Sequence, residues 1–163
     1  ATATSVGNDV QWRLTRPAAA DAARRRPGFA GAFDLNRDSL PPVALVWQHV
    51  DADPAVIDWH VERGVRGLVL AATGAGTMPA PVRAALARAV RRDCLVLRAT
   101  RVPTGPVIRD NEVEVDDRDS ALGFIAAGRL GPLKARILLQ CCLAAGLGTD
   151  DVALIQAMVE AFD

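Results

Sequence analysis

The sequence contains no tyrosine and a single lysine, Lys134, and its only other aromatic residues are four Phe and three Trp. With so few rings, any hydrophobic core must be assembled mainly from Ala, Val and Leu. Apolar residues make up 50% of the chain, which is too many for intrinsic disorder. At 163 residues the length suits one domain with a real core. Neither charge is in excess: 19 basic and 19 acidic residues give a formal net charge of zero. That balance argues against a nucleic-acid partner held by bulk electrostatics. No apolar run reaches membrane-spanning length, so no membrane partner is expected either. The N-terminus carries no apolar core of a secretion signal; the compartment is left unassigned, with the cytoplasm preferred to secretion.

Cysteine is scarce and odd in number. Cys94, Cys141 and Cys142 form no Cys-x-x-Cys pair and have no histidine-rich ligand set beside them. They read as small buried apolar residues, and His60, next to Trp59 and Glu62, as a surface or boundary residue. No metal and no cofactor is expected.

What the sequence does contain is organised around residues 67–81. Leu68, Val69, Leu70 and Ala71 form an unbroken apolar run, the pattern of a central strand covered on both faces. Thr73-Gly74-Ala75-Gly76-Thr77 interrupts it, and Pro79 and Pro81 then suit the first turn of a helix. A strand, a small-residue loop and a helix start mark the place where open α/β sheets bind ligands. An anion there would meet backbone N–H groups and the positive end of a helix dipole. The plainer alternative is that the glycines only make a tight turn.

Residues 1–42 differ from the rest. Arg24-Arg25-Arg26-Pro27-Gly28, Asn36-Arg37-Asp38 and Pro41-Pro42 are loop chemistry, so this stretch is expected to be a linker and the remnant of a preceding domain. It should wrap the outside or extend away, with the domain proper running over 43–163. From Val43 the pattern is regular. Val43–Trp47 reads as a buried strand, followed by Asp53 as an N-cap, Pro54, the apolar stripe Val56, Ile57 and Val61, and Gly64 as a helix stop. After the glycine loop, Val82, Ala85, Leu86, Ala89 and Val90 should face the sheet, and Arg83, Arg88, Arg91 and Arg92 water. Residues 94–97 supply a third strand. This βαβαβ order predicts an α/β fold of three layers, α/β/α, around a small parallel sheet.

Residues 98–119 read as one long polar connection, in which Asp110, Glu112, Glu114, Asp116, Asp117 and Asp119 crowd together; such connections are often functional. Beyond it, Pro132 opens a helix with Ala135, Leu138, Leu139 and Cys142 inward, ending at Gly146. Thr149 then caps a last helix with the stripe Val152, Ile155, Val159 and Phe162.

Three chemistries compete for the glycine loop. A P-loop fails, because no Gly-Lys-Ser/Thr follows. A dinucleotide fingerprint begins with Gly74-Ala75-Gly76, and Arg98 would then suit a 2′-phosphate, but Pro79 stands where the third glycine belongs. The third rests on four motifs in order: Arg101-Val102-Pro103-Thr104-Gly105, Glu114-Val115-Asp116-Asp117, Gly123-Phe124-Ile125-Ala126-Ala127-Gly128, and Pro132-Leu133-Lys134-Ala135-Arg136-Ile137-Leu138-Leu139. Together with the glycine loop they resemble the Rossmann-like C-terminal domain of bacterial-type L-asparaginases from Pro42 to Phe162. Val6-Gly7-Asn8-Asp9 more weakly resembles the end of that family's N-terminal domain.

The resemblance implies hydrolysis of L-asparagine, and possibly L-glutamine, by a site whose nucleophilic Thr, in a Thr-Gly-Gly-Thr motif, lies with a Thr-Asp pair and a Lys in the N-terminal domain. The motif does not occur in these 163 residues, so no catalytic residue is assigned here. It further implies that the C-terminal domain of a neighbouring subunit completes the site. That domain lends a Glu for the substrate's ammonium group and a polar residue from the glycine loop. These roles fall on Glu114, with Glu112 as its rival in a repeated Glu-Val, and on Thr77, where many members have Asn. Gly74 and Gly76 join them as substrate-binding backbone. The acidic loop is two residues longer than in common members. The expected partners are an asparaginase N-terminal-domain chain or further copies of this one, as a dimer or larger assembly. The alternative is a non-catalytic amino-acid-binding or assembly module of the same fold.

Overall fold

The computed structural model describes residues 39–110 and 118–161, together with the backbone of 2–6 and 9–13. Strands β1 (Thr2–Val6) and β2 (Asp9–Arg13) pair antiparallel, with Thr2 opposite Arg13. The linker expected over 1–42 therefore holds a hairpin.

The main sheet has four parallel strands in the order β3 (Val43–Trp47), β4 (Gly67–Ala72), β5 (Leu95–Thr100) and β6 (Phe124–Ala126). The apolar run at 68–71 lies in β4, which is paired on both sides and buried along its whole length. Between the strands come α1 (Ala55–Glu62) and α2 (Ala80–Val90), and after them α3 (Pro132–Ala144) and α4 (Val152–Glu160). Side chains alternate across the sheet. Ala44, Val46, Leu68, Leu70 and Val96 pack with Ile57, Val61, Val82 and Leu86 of α1 and α2. On the opposite face Val43, Val69, Leu95, Leu97 and Ile125 pack with Ala135, Leu139, Ile155 and Val159 of α3 and α4. This is the expected three-layer α/β/α arrangement. No single helix among the described residues is long and apolar enough to cross a membrane.

Local signals account for most helix ends. The Asp53 carboxylate accepts the Ala55 N–H at 2.9 Å, and Gly64 stops α1 at φ +78°. The last helix differs: Thr149–Asp151 is a 3₁₀ turn, and the Gly148 N–H donates to the Asp151 carboxylate at 2.9 Å, so capping comes from Asp151 instead of Thr149. Phe162 lies outside the described residues. Cys94 and Cys142 are buried as expected, and burial pushes their thiols up to about 12 and about 11, respectively; Cys141 is half-buried.

One expectation needs correcting at the third strand. It runs on to Thr100, so Arg98, Ala99 and Thr100 are buried strand residues and do not begin a polar connection. A three-residue fourth strand, β6, forms from the Gly-Phe-Ile-Ala-Ala motif. Arg83 is corrected as well: it is drawn out of solvent by Asp119, to which its Nε donates at 2.9 Å. Arg88 stays at the surface, where it pairs with Asp58 of α1 at 2.6 Å.

Candidate functional site

Strand β4 ends where the chain doubles back on itself. The N–H groups of Gly76 and Thr77 both donate to the Thr73 carbonyl, at 3.0 and 2.9 Å. In return, the Thr73 hydroxyl donates to the Thr77 carbonyl at 3.2 Å, and its N–H does so at 3.4 Å. Both glycines are required by backbone shape, with φ of +53° at Gly74 and +101° at Gly76. The loop therefore spends two of its N–H groups internally. Among the described residues, the amides of Gly74 and Ala75 have no protein acceptor, which narrows any anion contact to these two. Gly74 and Thr77 are exposed, whereas Gly76 is buried.

Gly76 is buried because it sits over a guanidinium. Arg98, on the α1/α2 face of β5, is fully buried and donates to the Gly76 carbonyl at 3.2 Å. Its other terminal nitrogen donates to the carbonyls of Ile108 and Arg109, at 3.0 and 2.6 Å. Its charge is met by Asp119, 2% exposed, at 2.8 Å. A buried guanidinium is tolerated only with this kind of multiple compensation. Arg98 is thus engaged by the fold, and the 2′-phosphate role considered for it does not hold.

The same contacts gather the acidic connection. Val107 N–H donates to Gly128 O at 2.8 Å, and Ile108 N–H to Ala75 O at 3.3 Å. The Asp110 carboxylate takes the Ser120 N–H at 2.9 Å and the Ser120 hydroxyl at 3.0 Å. Burial opposes charge on Asp110. The Ser120 amide, its hydroxyl and the nearby Arg118 and Arg109 outweigh that, so the carboxyl titrates below its ordinary value. The two ends of the acidic stretch are consequently fastened to each other and to the glycine loop. Glu112 and Glu114 themselves lie outside the described residues.

Sequence reasoning placed Gly74, Gly76 and Thr77 in one loop but missed the residues beneath them, Arg98, Asp119 and the Asp110–Ser120 pair. A lone Arg within Leu-Val-Leu-Arg-Ala-Thr was the available signal, because a charge at a central strand position requires a buried partner. No group of three His, Cys, Asp or Glu among the described residues could hold a metal ion.

Fold and site together define an α/β domain with its loops gathered at the carboxyl end of a parallel sheet. The family model of the glutaminase/asparaginase C-terminal domain matches residues 42–158, and the chain belongs to that family. It is 38% identical over 125 residues to a probable periplasmic L-asparaginase of Haemophilus influenzae, covering 77% of this chain and 34% of that protein. Against L-asparaginase 2 of Escherichia coli it is 38% identical over 112 residues, or 68% and 31% of the two chains. Against a glutaminase-asparaginase of Acinetobacter glutaminasificans it is 32% identical over 125 residues, or 76% and 36%. The chain spans about a third of the length of the curated relatives it matches.

Proposed function

We propose that this domain supplies one wall of an asparaginase site whose nucleophile belongs to an N-terminal domain, and that by itself it does not hydrolyse amides. The domain proper begins at Val43, and residues 1–42 are linker and remnant of what precedes it. The substrate class is L-asparagine or L-glutamine, as in the names of the similar proteins. An amino acid needs a carboxylate for its ammonium group and N–H donors for its carboxylate. Glu114 meets the first need. Thr77 and the loop backbone from Gly74 to Gly76 serve the second, with the amides of Gly74 and Ala75, which have no acceptor among the described residues, as the available donors. The observation that carries this reading is the joint anchoring of the 73–77 loop and both ends of the acidic stretch on one buried guanidinium. On this reading the two segments proposed to face substrate belong to one wall.

Amide hydrolysis also needs an activated nucleophile beside a base. The Thr73 hydroxyl is spent on the Thr77 carbonyl, and the His49 ring bonds the Val50 carbonyl, so these two do not form a nucleophile–base pair. Association with a second body accords with exposed Leu133, Ile137 and Leu154 on one layer and exposed Trp47 and Trp59 elsewhere. The test is ammonia release from asparagine and glutamine by the purified chain, alone and with the N-terminal domain of a full-length relative. Activity is expected only in the mixture. Turnover at enzyme-like rates by the chain alone refutes the proposal, and so does silence of a complex shown by sedimentation to have formed.

A further inference from the structure

Arg98 is a strand residue with no exposed surface, yet its contacts run to three separate stretches of chain. One is the glycine loop, through Gly76 O. The second is Ile108–Arg109, through two successive carbonyls just before Asp110. The third is Asp119, on the far side of the acidic stretch in sequence. Asp119 is itself held by Arg83 Nε, from the first turn of α2, so the helix that starts beyond the glycine loop is tied to the same carboxylate. The Asp110–Ser120 pair closes the base of the stretch a second time. The fit at Gly76 is tight: a Cβ there would stand 2.9 Å from Arg98 Nη1 and 2.6 Å from Val107 Cγ1.

We propose that Arg98 and Asp119 form a positioning pair that fixes the 73–77 loop relative to the two ends of the acidic stretch, Ile108–Arg109 and Asp119, and through those anchored ends tunes the binding of an amino-acid substrate. The proposal rests on the function proposed above. Neither residue is a catalytic residue, because the buried guanidinium and carboxylate reach substrate only through the segments they hold. The planar fork of Arg is essential: its two terminal nitrogens serve three carbonyls on two backbone segments and a carboxylate together. A lysine ammonium is a point donor on a flexible stem, which keeps the charge but not that geometry. A pair that merely satisfied charge in the core would, when altered, loosen the domain evenly. A positioning pair loosens the two loops first.

Arg98→Lys and Asp119→Asn in this chain separate those outcomes by amide hydrogen exchange. The amides of Gly76, Thr77, Ile108 and Ser120 should exchange about tenfold faster, while those of Val69 and Leu97 in the sheet keep their protection. If the loop amides do not change, or the sheet amides accelerate in proportion, the proposal is overturned. Asp119→Asn serves where Arg98→Lys does not fold. In the complex with an asparaginase N-terminal domain, either variant should raise KM by roughly tenfold with kcat within about twofold. Unchanged KM despite loosened loops overturns the link to substrate. A wild-type complex without activity would sink the proposed function instead, and the exchange measurement still decides whether the pair positions the loops.

Discussion

The side-chain amide of Gln156 hydrogen-bonds both backbone groups of Ala126, accepting from its N–H at 2.9 Å and donating to its carbonyl at 3.3 Å. Ala126 lies in β6, the last strand of the sheet, so the glutamine on α4 takes the place of a missing neighbour strand. Edges left open in this way invite pairing with other chains. Gln156→Leu would leave a buried N–H and carbonyl unsatisfied, at a cost of roughly 1–3 kcal/mol. Urea denaturation should show a lower midpoint with the same slope. An unchanged midpoint would mean that water reaches this edge.

The two loop glycines should respond differently to alanine. At Gly76 the methyl group meets Val107 and Arg98 at under 3 Å, in addition to a backbone at φ +101°. Overpacking of this kind costs about 1–3 kcal/mol, and left-handed backbone about 1–2 more. At Gly74 nothing lies within 4 Å and φ is +53°, so only the backbone term of about 1–2 kcal/mol applies. Thermal melts should rank Gly76→Ala well below Gly74→Ala. Equal melting temperatures would contradict the close approach of Gly76 to Arg98.

Asp110 gives the loop base an acid sensitivity. Its carboxyl titrates below the unfolded value of about 3.9, so the folded state binds this proton less readily than the unfolded chain. The stabilisation is complete above about pH 4 and is lost as pH falls through the depressed folded value. Asp110→Asn keeps an acceptor for Ser120 but has no charge. Its melting temperature should lie below that of the wild type at pH 7, and the gap should begin to narrow as pH falls below about 4. A gap independent of pH would show that the charge contributes nothing.

The two acidic-loop candidates can be separated in a complex with an asparaginase N-terminal domain. Loss of one charge-assisted contact is worth roughly 1.5–3 kcal/mol, so Glu114→Ala should raise KM about tenfold or more. Glu112→Ala should do little. If Glu112 proves the sensitive position, the register is off by two residues, and if neither matters the acidic loop is not part of the site.

Legibility in the sequence followed the range of the interactions. Strand β4 stood out because four successive apolar residues need cover on both faces, and α2 because prolines and an apolar stripe mark its start and inner side. The fourth strand was hidden by its length: three residues of Phe-Ile-Ala carry no period. Arg98 reads as the start of a loop in the sequence because its compensation is remote. Asp119 is 21 residues away in sequence, and three of its acceptors are backbone carbonyls, which no residue type announces. Arg83 falls on the outer stripe of α2 by periodicity, and only the position of Asp119 shows why it turns inward. The choice between Glu112 and Glu114 was open in the sequence, and both lie outside the described residues.

All four strands of the main sheet point the same way, which separates the domain's tether from its working end. The chain enters at Val43, opposite Gly67, and the glycine loop follows Ala72 at the far end of β4. Five strand residues place these ends about 17 Å apart. Whatever is joined through Pro42 is moored at the stern, while the loops that would greet an amino acid are at the bow. For a body docking at that rim, linkage through Pro42 would act from the opposite end of the sheet, so docking strength and linker length would be independently adjustable.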